Sequence, residues 1–144
     1  MVEQDTIKLL RECDAGVKMG VKSIGDVLKY ASSSQLEKIL TDCKREHEKI
    51  DGEIQGELEK YQDEGKNPNP MAKGMSKMKT AMRIAVNESD KTIADLITDG
   101  CNMGVKSLSK YLNEYKAADE RSKDIAKRLI DVEQNLAIDV RAYL

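Results

Sequence analysis

The chain has 144 residues, 40% hydrophobic and 35% charged, which is enough for one domain. Its 24 basic side chains nearly balance 26 acidic ones, so the whole molecule has no positive field to gather nucleic acid or an anionic membrane. There is no Trp or Phe and the aromatics are five Tyr, a composition that leans away from strands; three scattered Cys, with no Cys-x-x-Cys, argue for reduced thiols rather than a disulfide framework.

The opening Met1-Val2-Glu3-Gln4-Asp5 lacks the basic start and apolar core of a signal peptide. No apolar run approaches the ~20 residues that span a bilayer. The expectation is a soluble, cytoplasmic, all-α domain with no transmembrane segment. Ile7, Leu10, Val17, Val21, Ile24, Leu28 and Ala31 recur at helical spacing and define a first helix. Ala31-Ser32-Ser33-Ser34 breaks it, and Ser34-Gln35-Leu36-Glu37 reads as a capping box for the second. That helix carries Leu36, Leu40, Cys43, His47, Ile50, Ile54, Leu58 and Tyr61 along one seam, with Gly65 as a C-terminal cap and Pro68 and Pro70 preventing continuation. Residues 65–88 form a long connection containing a short helix from Met71 to Arg83. Asn87 to Asp90 supply the next N-cap region. The third helix carries Ile93, Ile97, Cys101, Val105, Leu108, Leu112 and Tyr115. After a turn near Lys116 to Asp119, the fourth carries Ile125, Leu129, Val132, Leu136, Val140 and Tyr143. The pattern predicts an antiparallel four-helix bundle with hairpin one at 5–64, the crossover at 65–88 and hairpin two at 89–144.

Met19-Gly20-Val21-Lys22-Ser23 recurs as Met103-Gly104-Val105-Lys106-Ser107. Gly16 matches Gly100, Ile24 matches Leu108 and Leu28 matches Leu112. With two residues inserted in the second turn, Ile39 falls on Ile125, Cys43 on Leu129, Ile50 on Leu136 and Ile54 on Val140. The chain reads as a duplicated helical hairpin. Glycine costs a helix interior about 1 kcal/mol relative to Ala, so Gly16, Gly20, Gly100 and Gly104 on corresponding faces need an offsetting gain. Close crossing of the first and third helices is the simplest; a homodimer seam or room for a ligand are the sharper alternatives.

Duplicated hairpins joined by a long crossover resemble the ferritin-like superfamily, most of all its small, uncharacterised bacterial four-helix-bundle members. The resemblance is strongest from Asp90-Lys91-Thr92-Ile93-Ala94-Asp95-Leu96 through Val105-Lys106-Ser107. It implies a di-metal site in which each hairpin supplies a Glu from one helix and a Glu-x-x-His from the next. The chain departs from that pattern. Its only histidine, His47, follows Lys44 rather than a Glu, and the positions matching Lys44 and His47 in the second hairpin are Ile130 and Glu133. The seam positions on the first and third helices are Asp14 and Thr98. Three potential ligands survive, Asp14, His47 and Glu133, which leaves a reduced site for iron, manganese or zinc as one reading. The other is a buried Asp14–His47 pair that fixes helix register, since a buried charge without a partner costs several kcal/mol. Counting from the turn places residue 14 opposite residue 51, with His47 one helical turn away.

Residues 66–83 carry Lys66, Lys73, Lys77, Lys79 and Arg83 with no acid, and Met71, Met75, Met78 and Met82 make a single stripe. Such a segment reads as a crossover lying on the bundle by its Met face, or as an anionic-surface element using Lys73, Lys77, Lys79 and Arg83. The functional expectation is a non-catalytic bundle with a degenerate metal site and no resident cofactor, acting as a structural or interaction module toward a second copy or another protein. A metal-binding or oxidoreductase protein using Asp14, His47 and Glu133 is the alternative.

Overall fold

A computed structural model of the chain describes residues 2–68 and 89–144. Among these the secondary structure is helical throughout, with α1 at Val2–Leu28, α2 at Ser34–Lys60, α3 at Asp90–Glu114, α4 at Glu120–Asp139 and a closing 3₁₀ turn at Arg141–Tyr143. No described helix is long and apolar enough to cross a membrane. At ~1.5 Å per residue the two 27-residue helices are each about 40 Å long. α1 packs on α2, α3 and α4, and α4 also packs on α2 and α3. Positions on α1 meet α2 and the segment after it in opposite order, as Arg11–Asp63, Asp14–Gln55 and Gly20 beside His47 illustrate.

Three helices start where short polar side chains can accept a first-turn N–H. Ser33 Oγ accepts from Leu36 N, Ser89 Oγ from Thr92 N and Asp119 from Ser122 N. The cap of α2 is therefore Ser33, one residue before the expected capping box. Each inter-helix turn is also held by the start of another helix. The Asp90 carboxylate accepts from Ser32 N at 2.8 Å and Ser33 N at 3.0 Å. At the other end Asp5 accepts from Ala117 N at 3.0 Å and Thr6 Oγ1 from Asp119 N at 2.8 Å.

α2 ends at Lys60, so Gly65 is not its cap. Gly65 has a φ of +82°, and a Cβ there would collide with the Asp14 carboxylate, so two constraints favour glycine. Arg11–Asp63 at 2.6 Å and Lys66–Glu12 at 2.6 Å tie this segment to α1. The basic residues Lys73, Lys77, Lys79 and Arg83, and the expected short helix, lie outside the described residues.

The core has two apolar halves. One contains Leu9, Leu10, Cys13 and Val17 of α1, Ile50, Ile54 and Leu58 of α2, Leu108 of α3, and Ile125, Ala126 and Leu129 of α4. The other contains Ile24 and Val27, then Leu36, Leu40 and Cys43, then Ile93, Ala94, Ile97 and Cys101, and finally Leu136 and Val140. Every helix crosses from one half to the other within one interval: 17 to 24, 43 to 50, 101 to 108 and 129 to 136. Those intervals hold Gly20, His47, Gly104 and Glu133.

Candidate functional site

This central layer places two polar side chains and two glycines at mid-bundle. His47 is fully buried and Glu133 nearly so. His47 Nε2 lies 2.7 Å from Glu133 Oε1, and Nδ1 lies 2.8 Å from the Cys43 carbonyl oxygen. The Cys43 thiol stands 3.5 Å from the same Nδ1. Helical spacing explains the second and third contacts, because positions 43 and 47 are one turn apart on α2. With an acceptor at each ring nitrogen, the ring is held as the doubly protonated donor. Burial alone would lower the His47 pKa, but hydrogen bonding to Cys43 and Glu133 and the Glu133 charge outweigh it and push it up to about 10.

The glycines make the pair fit. A Cβ on Gly20 would sit 2.7 Å from His47 Cδ2 and Nε2 and 3.3 Å from Glu133 Oε1. A Cβ on Gly104 would meet Glu133 at 3.5 Å, ordinary contact. The expected close crossing of α1 and α3 at Gly16, Gly20, Gly100 and Gly104 is thus not what these residues provide. Gly16 would meet Leu108 of α3 only at 3.9 Å, and a Cβ on Gly100 would find nothing within 4 Å. Gly20 instead opens α1 for the imidazole of α2, and Gly104 faces the carboxylate of α4.

The expected Asp14–His47 pair does not form. Asp14 is fully buried, but it accepts from Gln55 Nε2 at 2.7 Å, Lys66 N at 2.9 Å and Lys18 Nζ at 3.0 Å. Gly20, the α1 residue against His47, lies six positions further on, about 9 Å along the axis. Counting from the turn placed residue 14 opposite residue 51, whereas its partner is Gln55. Each side chain leans toward the N-terminus of its own helix, so partners on oppositely running helices contact about one turn beyond the height of their Cα atoms. Thr98, the seam residue matched to Asp14, donates to the Ala94 carbonyl at 2.7 Å.

Asp14, His47 and Glu133 consequently do not converge, and among the described residues no group of three His, Cys, Asp or Glu side chains is arranged to hold a metal. The reason lies in the layer itself. Its four positions supply only two donors, which bind each other. Cys43 and Glu133 also address opposite nitrogens of the imidazole, so they cannot share an ion with His47 through one ring atom. The buried polar inventory is otherwise nearly closed: among the described residues the fully buried side-chain atom without a partner is Ser122 Oγ.

His47 and Glu133 were both legible in the sequence as candidate ligands, but not their pairing with each other. Two signals were available: the expected hairpin alignment matches them to each other, and each is flanked by core residues three or four positions away. Cys101, expected only as a seam residue of the third helix, sits beside the pair. Burial first, then the charge and hydrogen bonding of Glu133, hold its thiol pKa well above the usual range. The chain matches no family model, no curated protein and no solved structure.

Proposed function

We propose that the chain is an antiparallel, ferritin-like four-helix bundle built from a duplicated hairpin. In this reading the His47–Glu133 ion pair stands where the superfamily places metal, and the molecule is a non-catalytic structural or protein-interaction module. The observation that carries the proposal is the closed central layer: His47 and Glu133 at 2.7 Å, with glycine at the facing positions of α1 and α3. A site that binds metal needs donors that converge and a position left open to the ion; here each donor is already engaged.

Four pairs of equivalent positions support the duplication. His47 and Glu133 correspond, as do Gly20 and Gly104, and each glycine faces the polar residue of its own hairpin. Asp90 and Thr6 correspond too, and so do Ser33 and Asp119, whose backbone N–H groups they bind. Each half thus fastens the turn of the other by the same contact, as a pseudo-two-fold axis through the central layer requires.

Anaerobic loading with Fe(II), Mn(II) and Zn(II), followed by dialysis and elemental analysis, tests the proposal. It expects no stoichiometric metal in the native chain. About one ion per chain, lost in His47→Ala, would establish the metalloprotein alternative.

A further inference from the structure

Cys43 occupies a different environment from the other two thiols. Ile39, Asp42, Cys43 and Glu46 on α2, with Val132, Asn135, Leu136 and Asp139 on α4, line a surface groove of about 340 Å³. Cys43 is one of the lining residues and retains 8% exposure, against 0% for Cys13 and 2% for Cys101. Burial, with the charges of Glu12 and Asp14, pushes the Cys13 thiol up to about 12, and burial beside Glu133 raises Cys101 as well. Both are closed off by packing and held protonated.

Behind Cys43 stands a fixed cation. The imidazole is anchored at Nε2 by Glu133, which keeps Nδ1 3.5 Å from Sγ. Thiol and carboxylate therefore flank the imidazole, one toward each ring nitrogen, which sets a fixed positive charge beside the sulfur. At the groove, Asp42 is paired with Lys38 at 2.8 Å and Arg45 at 3.9 Å. Glu46 and Asp139 make no ion pair among the described residues, so the walls carry uncompensated negative charge.

We propose that Cys43 is a thiol–disulfide exchange site for small, positively charged disulfides and related sulfur electrophiles, which reach it through the acidic groove between α2 and α4. In the exchange the Cys43 sulfur attacks one sulfur of the incoming disulfide and a new S–S bond forms. The original S–S bond breaks, and the departing sulfur takes its electron pair and the proton released by Cys43. One thiol is oxidised and one is liberated, so the step needs no other oxidant. His47 is a positioning residue whose charge steadies the sulfur as it loses its proton. The inference rests on Cys43 and the groove and is independent of the interaction role.

The test uses two methanethiosulfonates with the same leaving group, one carrying an aminoethyl and one a sulfonatoethyl arm. Each rate is normalised to that of a free small thiol, and sites are assigned by peptide mass. With either reagent, the leaving sulfinate departs as an anion and the thiol proton goes to solvent. Cys43 is expected to react before Cys13 and Cys101, and the aminoethyl reagent to be favoured by about tenfold at low salt. Glu46→Gln with Asp139→Asn should remove that preference without changing the order of the three thiols. His47→Asn should slow Cys43 and change its pH profile while leaving Cys13 and Cys101 as they were. Equal reactivity of the three thiols in the folded chain, or no charge preference, would overturn the proposal. So would an unchanged Cys43 rate and pH profile in folded His47→Asn. If that variant does not fold, the native-chain comparison of thiols and reagents decides alone.

Discussion

Gly20 and Gly104 hold the same position in the repeat, yet one methyl group should separate them. A Cβ at Gly20 would press on the imidazole at 2.7 Å, and the ring cannot yield without losing either Glu133 or the Cys43 carbonyl. Gly20→Ala is expected to destabilise by about 1–3 kcal/mol despite the better helix propensity of alanine. Gly104→Ala meets Glu133 at ordinary contact, and Gly100→Ala meets nothing within 4 Å. Both should be neutral or stabilising by up to about 1 kcal/mol. Urea denaturation of the three variants checks the order. His47 gives a second prediction at this scale. Its folded pKa of about 10 lies above its ordinary 6.5, so the folded state holds the proton more tightly. That contribution is fully present below pH 6.5, declines as pH rises and is lost above about 10. Thermal melts of the native chain should fall across this window, and His47→Gln should flatten the fall. Equal slopes in the two proteins would contradict the imidazolium assignment.

At the scale of the helices, end contacts matter as much as the apolar seam. Ser89 caps α3 through one first-turn N–H, whereas Asp90 accepts two N–H groups from the α1–α2 turn. Ser89→Ala should cost about 1 kcal/mol. Asp90→Ala should cost about 1–3 kcal/mol and release protection of the Ser32 and Ser33 amides in hydrogen exchange. The seams were legible in the sequence for α2 and much of α3 and α4, less so for α1, where Leu10, Val17 and Ile24 are buried as expected but Ile7, Val21 and Leu28 are not, and Leu9 and Val27 are buried instead. In α2 all the predicted seam residues except Tyr61 are buried, and Ile93, Ile97, Cys101 and Leu108 form the interior of α3. Apolar periodicity depends on one helix at a time, and a single sequence carries it. What it could not carry was the register between helices, which depends on side-chain lean and on the pocket opened by Gly20. For that reason Asp14 and His47 were each recognised as buried polar residues and then assigned to each other. Asp14 in fact binds the segment after α2, and His47 reaches α4. Glu57, which faces Arg121 at 3.2 Å and Lys60 at 2.6 Å, was missed because a charged residue does not register in an apolar pattern.

Across the whole molecule, a buried ion pair divides two apolar halves at a height common to all four helices. Such a pair adds little net stability relative to apolar replacement, but breaking one partner leaves a buried charge, so it penalises any helix slide that separates His47 from Glu133. A bundle of similar helices has many near-equivalent registers, and the polar layer selects one. The central claim is that His47 is a permanently paired cation at that layer and not a ligand waiting for metal. Because the chain has one histidine, its ring nitrogens give an unambiguous NMR signature. Nitrogen-15 spectra of the imidazole at neutral pH should show both nitrogens protonated, with no change on adding Zn(II). A neutral ring with one bare nitrogen whose resonance moves on Zn(II) addition would contradict the account.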